Sequence, residues 1–570
     1  MSPSTILSPL ERRVVHAAAI LAAATFITAC DLSFPTEART LSPVYLEPSN
    51  WPSSARVGDT INLSVVMRAR SDSQLVSMDY KPSIGWTWFP SDRLAFLDSD
   101  SIGSARFAVL LPGPVEVRAT TIPNQVLDSA SVTRGLRLTV GWLEVSAGEN
   151  QTCGIGWRLY FCWGETVFGS PAELATVTIP RRVQMADSVP VSIVFILPAI
   201  QLSTGDSHTC AVRKYARILT SGSTLMLLGP VVCWGVNHNG QLGLGSTSNH
   251  SRAVPLPIFL PTTGIRVSAG AAHSCLTAGG SVYCWGDDRD GRLGTNAISN
   301  RCGPEAAPCR WIPTMVPGTT TLRVSEVAAG TGYTCGLAAN QVVYCWGVNE
   351  IGQLGTGDTA SIVTTPTLVS GDLVFSMISA GSDHTCGVTP SGAAFCWGSN
   401  RFGQLGTRSA PDKCNGVSCA RVPVPVGGGL LFQAISAGNG FTCGISSAHA
   451  AYCWGRGHEG QLGNFAVLED CAGIRCTPRP TIVLSHVLTV SAGGAHACAT
   501  IPDGDLKCWG ANNKAQLGDS TVVSRSTPRS VGDPPDADFG NINSIGLIPA
   551  GDKIRVRADI DKERTVRRLP

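Results

Sequence analysis

Charge is scarce in this chain. Charged residues fill 15% of its 570 positions and the formal net charge is +2. The basic excess that holds a protein on nucleic acid is therefore missing, and DNA or RNA gains no support as a partner. So little charge also argues against long solvated helices. Catalytic signatures are missing too: there is no G-x-S-x-G elbow, no H-E-x-x-H and no G-x-x-x-x-G-K-(S/T) phosphate loop. The acidic residues are scattered, and no pair stands out for acid–base work. No cofactor or metal is implied, and the chain reads as a non-enzyme.

What the chain has in abundance is glycine (62), proline (36) and cysteine (21). Glycine and proline at this level suit many short strands joined by tight turns. The length suits two or more domains. An odd cysteine count asks for one thiol with its own explanation, and the N-terminus offers it. Arg12 and Arg13 precede the apolar run VVHAAAILAAATFITA, which ends at Cys30. That is the pattern of a secretory signal, too short for a typical membrane span. Ile27-Thr28-Ala29-Cys30 is similar to a bacterial lipobox, which implies removal of 1–29 and acylation of Cys30. The chain is then exported and lipid-anchored in the cell envelope, on the periplasmic side or at the cell surface. Residues 30–42 read as a linker.

From 43 to 141 the pattern becomes short alternating runs: VGDTINLSVV, IGWTWFP, LAFLD, SARFAVLL, GPVEVRATT and SASVTRGLRLTV. Six or seven strands in about 100 residues suit a β-sandwich. The segment resembles bacterial Ig-like domains, with Trp86, Trp88, Ser91 and Asp92 at the characteristic W-x-(S/P)-S-D element. Its expected role is that of a spacer.

Between 142 and 531 the chain repeats. The tripeptide CWG recurs with its cysteine at Cys162, Cys233, Cys284, Cys345, Cys396, Cys453 and Cys508, at intervals of 51 to 71 residues. Before each stands a segment ending in a second cysteine: AGENQTC, TGDSHTC, AGAAHSC, AGTGYTC, AGSDHTC, AGNGFTC and AGGAHAC. After six of them comes GQLG or a close variant, starting at Gly240, Gly291, Gly352, Gly403, Gly460 and Ala515; the first repeat has only a degenerate VFG. Such a period marks a repeat architecture. The compound pattern resembles the regulator-of-chromosome-condensation repeat family over roughly two-thirds of the chain. That resemblance implies one four-stranded blade per repeat, and seven copies imply a seven-bladed β-propeller. The expected fold is all-β: this propeller preceded by an Ig-like β-sandwich. The tryptophans of the WG pairs, Trp163, Trp234, Trp285, Trp346, Trp397, Trp454 and Trp509, are expected to bury their rings and use their indole N–H.

Two antiparallel neighbours in a hairpin bring cysteines within disulfide reach. One cross-strand bridge per blade is expected: Cys153–Cys162, Cys210–Cys233 (through a longer hairpin loop), Cys275–Cys284, Cys335–Cys345, Cys386–Cys396, Cys443–Cys453 and Cys498–Cys508. Cys302–Cys309, Cys414–Cys419 and Cys471–Cys476 complete ten bridges and leave Cys30 for the lipid. Zinc is the alternative for the short C-x-x-x-x-C spacings, but they fall in different repeats without a nearby second pair of ligands.

The three extra pairs occupy one repeat position, in the third, fifth and sixth repeats. Three pinned loops, at about 296–310, 408–420 and 465–477, are thus expected to rise from one rim. Pinning lowers the ordering cost of binding, so this rim is a candidate partner site; stapling against proteolysis is the equal alternative. His208, His273, His384 and His496 share a position with Gln151, Tyr333 and Phe441. A position open to Tyr and Phe reads as half-buried and structural, not as a metal ligand. The tail, 532–570, lacks the repeat and is expected to be disordered. The leading function is an envelope scaffold binding an unknown protein or glycan. Alternatives are an inhibitor of a secreted enzyme, a guanine-nucleotide exchange role implied by the family resemblance but disfavoured by export, and a carbohydrate-active enzyme with convergent carboxylates. Oligomeric state is not indicated.

Overall fold

The computed structural model describes the strand residues between 44 and 139, most of 142–532, and two short strands at 545–547 and 556–558. Within 142–532 the breaks are 157–158, 169–172, 185–194, 219–223, 257–264, 296–299, 465–468 and the single positions 304, 359, 472 and 503. The segment 1–29, Cys30 and the linker lie outside the described residues, as does nearly all of the tail. The chain divides into two compact units, residues 1–138 with 539–570, and residues 139–538.

In the first unit, eight strands form two four-stranded sheets, antiparallel at the pairings whose register is described. One runs in the order Val44–Asn50, Thr60–Ala69, Ser104–Val109, Leu94–Ser99; the other runs Ser54–Arg56, Ser131–Thr139, Gly113–Thr121, Ile84–Phe89. Every one of the six alternating windows contains a strand. The strands at 44–50 and 54–56 carry no such alternation and are not foreshadowed by it.

The second unit consists of seven antiparallel sheets, one per repeat: a seven-bladed β-propeller. Blade 1 is Trp142–Ala147, Gln151–Gly156, Leu159–Phe168 and Glu173–Arg182, counted outward from the axis. Second strands such as Phe441–Ser446 are buried at every residue. Both of their faces meet neighbouring blades, so they read as small or apolar runs rather than as alternation. Outer strands such as Ile362–Leu368 are largely exposed. The seven WG tryptophans are 0–1% exposed.

Blades 3, 5 and 6 each gain a fifth strand: Asn300–Cys302, Asp412–Cys414 and Glu469–Cys471. The segments expected as pinned loops are therefore β-hairpins that extend the outermost strand. In blade 2 the long spacing from Cys210 to Cys233 is taken up by strand, not by a longer loop. His208–Ile218 and Thr224–Gly235 stay paired out to Ile218 against Thr224. This corrects the expected loop, because a two-stranded ladder can lengthen by pairs without disturbing the cysteine register.

Candidate interaction face and axial channel

The blades are held together by a hydrogen-bonded latch that recurs at the seams. At the seam of blades 2 and 3, Trp285 Nε1 and Ser274 Oγ both donate to the Gln241 carbonyl, at 2.8 and 2.9 Å. Ser274 Oγ spends its proton there, so His208 Nε2, 2.7 Å away, must be the donor to it. The same circuit closes the ring between blades 7 and 1. There Trp163 Nε1 and Thr152 Oγ1 donate to the Gln516 carbonyl, and His496 Nε2 lies 2.7 Å from Thr152. Burial drives the pKa of His208 and His496 down to about 3, so both rings are neutral. The four repeat-position histidines are 0% exposed. They were expected to be half-buried; enclosure between two blades, invisible in one repeat, makes them fully buried.

GQLG is the other half of the latch. Asn237 Oδ1 accepts from Leu242 N and Gln241 Oε1 from Asn239 N, which curls the loop so that the Gln241 carbonyl faces the next blade. Leu242 is 0% exposed. Gly243 has a φ of 72°, and a Cβ there would lie 2.7 Å from Trp285 Nε1, so the motif must end in glycine. Blade 1 lacks the motif, and Trp234 Nε1 turns to Cys162 Sγ at 3.4 Å instead. Blade 3 carries Arg292 in place of glutamine, neutralised by Asp287 and Asp290 and donating from Nη1 to the Thr331 carbonyl.

The innermost strands line an axial channel whose narrow mouth is a ring of seven glycines: Gly148, Gly205, Gly270, Gly330, Gly381, Gly438 and Gly493. A Cβ on each would lie 2.0–2.6 Å from the carbonyl oxygen of the next glycine round the ring. Two residues earlier, six of the seven blades carry serine. Each serine Oγ accepts a backbone N–H of the next blade, as Ser146 does from Thr204 and Ser491 from Ala147. Two residues earlier again, Glu144, Gln201 and Glu326 stand at one repeat position; Glu144 accepts from Leu202 N and Gln201 from Val267 N, both across a seam. Burial raises the carboxyls of Glu144 and Glu326 to about 7, opposed by the hydrogen bond each receives and by the Arg266 charge.

At the mouth, Glu149 and Asp206 come from adjacent blades. Asp206 reaches solvent yet sits inside a concave opening; that enclosure, and secondly the Glu149 charge, raise its carboxyl to about 6. Sequence reading singled out no acidic pair. The signal was present, since both residues follow the ring glycine in consecutive repeats. Among the described residues no group of three or more His, Cys, Asp or Glu is placed to hold a metal.

Ten cysteine pairs are joined. In the blade pairs the cysteines face each other directly in register, as Cys153 does Cys162, with Cα–Cα distances of 4.1–4.2 Å. Cys302–Cys309, Cys414–Cys419 and Cys471–Cys476 instead run diagonally across their hairpins at 5.8–5.9 Å. Strand register puts the three hairpins at the same end of their blades as the glycine ring. In blade 6, Ala437 pairs with Thr442, Phe441 with Gly455, Arg456 with Cys476 and Glu469 with Cys476. The chain joins blade 1 at Trp142, opposite Gly156, and leaves blade 7 after Ser530, opposite Lys507; both points lie at the other end. The hairpins and the channel mouth thus share the end of the blades opposite to Trp142 and Ser530.

This is the architecture of a cysteine-rich propeller whose repeats interlock through Trp, Gln and Gly. Residues 159–552 match the RCC1-like domain family, and the chain belongs to it. The ultraviolet-B receptor UVR8 of Arabidopsis thaliana is 30% identical over 58% of this chain and 73% of its own length. The human E3 ubiquitin-protein ligase HERC2 is 27% identical over 57% of the chain, which spans only 7% of that protein. Among solved structures, Prp20p of Saccharomyces cerevisiae, solved in work on its binding to Gsp1p and histones, shares the fold. It superposes with a TM-score of 0.50 at 19% identity, over 71% of this chain and 90% of its own. Yeast RCC1 (Prp20) bound to Kap60 gives the same score over 70% and 87%.

Proposed function

We propose that the protein is an exported, lipid-anchored binding scaffold: a signal peptide at 1–29, an acylated Cys30, a linker at 30–42, an Ig-like spacer at 43–141, a propeller head at 142–531 and a tail at 532–570. The observation that carries this reading is the placement of three disulfide-pinned hairpins around one face of the propeller, at the blade ends opposite to Trp142 and Ser530. Pinned segments lose little entropy on binding, so such a face is preorganised for a protein or glycan partner. Ten disulfides fit an oxidising compartment. We read the protein as a binder and not an enzyme. Its buried histidines are occupied in seam latches, and Glu144 accepts a backbone N–H rather than facing a second free carboxylate. The ligase activity of HERC2 belongs to a chain of which this one spans a small part, and is not carried over.

The test is affinity capture from native envelope and secreted fractions. The baits are the protein from Asp31 onward and a variant with the three hairpins shortened. A partner held by the parent and lost by the variant supports the reading. Identical captures, or none, remove the hairpin face as the site. For the anchor, a palmitate label should enter the full chain and not Cys30→Ser; label retained by Cys30→Ser excludes acylation at that position.

A further inference from the structure

We infer that the valley between the blade 5 and blade 6 loops, on the hairpin face, is a recognition site for carboxylates of an acidic peptide segment in a partner protein. This rests on the scaffold reading above and names the chemistry of its partner. Two guanidiniums are held there by neutral groups. Arg401 lies over the Phe402 ring, 5.4 Å from its centroid. Arg456 lies against His458, with Nε and Nη2 each 3.1 Å from a ring nitrogen. The two sites adjoin: a Cβ on Gly440 would lie 3.0 Å from Phe402 Cδ2 and 3.6 Å from Arg456 Cδ. Arg475 is beside them, its carbonyl accepting from Gly457 N.

Most other arginines on this face are already neutralised: Arg289 and Arg292 by Asp287, Arg408 by Glu469, Arg421 by Asp412, Arg525 by Asp519. Among the described residues, Arg401, Arg456 and Arg475 have no carboxylate within ion-pair distance. The local acids are Glu459, 3.3 Å from His458 Nε2, and Asp470, which stands opposite Arg475 in strand register and accepts from Gly473 N. Arg401, held over a ring face, keeps its forked N–H donors available. Arg456, whose Nε and Nη2 turn to His458, keeps its Nη1 side. Such donors bind carboxylates in charge-assisted hydrogen bonds.

The walls are rigid. The 401–402 loop runs into Gly403, whose Cβ would lie 2.5 Å from Pro478 Cα of blade 6. The blade 5 and blade 6 hairpins are pinned by Cys414–Cys419 and Cys471–Cys476 and tied to each other by Arg408 and Glu469. Arg401, itself exposed, covers one face of the Phe402 ring, and that face is closed to stacking by a sugar. That favours a flexible chain carrying carboxylates over a polyuronate.

The probe is a fluorescein-labelled peptide with glutamates on both sides of a leucine, titrated into the exported form of the whole protein by anisotropy. We expect Arg401→Ala and Arg456→Ala each to weaken binding at least tenfold, with Asp206→Asn without effect. The same peptide with lysines should not bind. The His458 imidazole, whose pKa burial and the Arg456 charge hold below the ordinary value, should titrate at higher pH when the peptide is bound. Absence of binding, an affinity unchanged in both arginine variants, or a glucuronate oligomer binding tenfold tighter than the peptide would each overturn the proposal. If the peptide fails while hairpin-dependent capture holds, this site alone is lost. If the peptide binds and hairpin shortening changes no capture, the cluster stands and the hairpin face as a whole does not.

Discussion

The seam between blades 2 and 3 and the seam between blades 6 and 7 do the same job with opposite chemistry. The first is polar: His208, Ser274, Gln241 and Trp285 satisfy one another. At the second, Phe441 replaces the histidine and Ala497 replaces the serine, both 0% exposed and in one hydrophobic cluster. The Gln461 carbonyl still takes the Trp509 indole, at 2.9 Å. Both partners changed together, and the reason is physical. A buried donor without an acceptor costs about 1–3 kcal/mol, whereas replacing both by apolar groups is nearly neutral. At these two seams the polar latch is optional, while the tryptophan, the carbonyl and the glycine are shared. At the blade 1 seam Trp234 turns to Cys162 instead, and Trp397 Nε1 is buried without a hydrogen-bond partner.

The largest effect is expected where the two seams agree. Gly205→Ala would set a Cβ 2.0 Å from the Gly270 carbonyl oxygen, and Gly438→Ala would set one 2.5 Å from that of Gly493. Each should lose more than about 3 kcal/mol in urea denaturation with disulfides intact, or fail to fold. A loss under about 1 kcal/mol at either site shows that the ring is not tightly closed.

Next comes an exchange of chemistries. Ser274→Ala alone orphans His208 Nε2 and should cost about 2 kcal/mol. The pair His208→Phe with Ser274→Ala copies the apolar seam and should recover all but about 1 kcal/mol. No recovery in the double variant means the seams are not interchangeable.

Acid should separate them further. The folded pKa of His208 is about 3 against an ordinary 6.5, so the unfolded chain takes up a proton first as pH falls. The stability is complete above about pH 6.5 and is lost progressively toward pH 3, by about 2 kcal/mol at pH 5 for such a histidine. The double variant should therefore lose less stability between pH 7 and pH 5 than the parent. Equal losses would place the acid sensitivity elsewhere.

The smallest effect concerns the channel. Glu144 titrates near 7 when folded and near 4.5 in its ordinary state. Its contribution is complete below about pH 4.5 and is lost as pH rises through 7. Glu144→Gln keeps the acceptor for Leu202 N, as Gln201 already does for Val267. It should gain under about 1 kcal/mol at pH 8, because the carboxyl is partly exposed, and nothing at pH 4. A loss at pH 8 would mean that the charge itself is needed.

Much of this architecture is legible in the amino-acid sequence. The CWG and AG-x-x-H-T-C spacings carry the blade count, the second and third strands and the cysteine registers, because a strand pairs locally and its partner lies a hairpin away. The latch is not legible, although every residue in it is marked by the repeat. Trp285 meets Gln241, 44 positions earlier, and Trp163 meets Gln516, 353 positions later. Nor is the Arg401–Phe402–Arg456–His458 cluster, which assembles from two repeats; Arg289 and His238 stand at the positions of Arg401 and His458 in other repeats, but the combination occurs at this seam alone.

The sequence by itself determined that the chain is all-β, that its second part has seven blades, and which cysteines lie opposite one another. These follow from short-range periodicity and hairpin spacing. Only the tertiary structure decided that the histidines are buried neutral donors, that the pinned segments are edge hairpins on one face, and that ring glycines touch carbonyls from blade to blade. Those facts depend on closing the ring, which brings together groups that no local pattern relates.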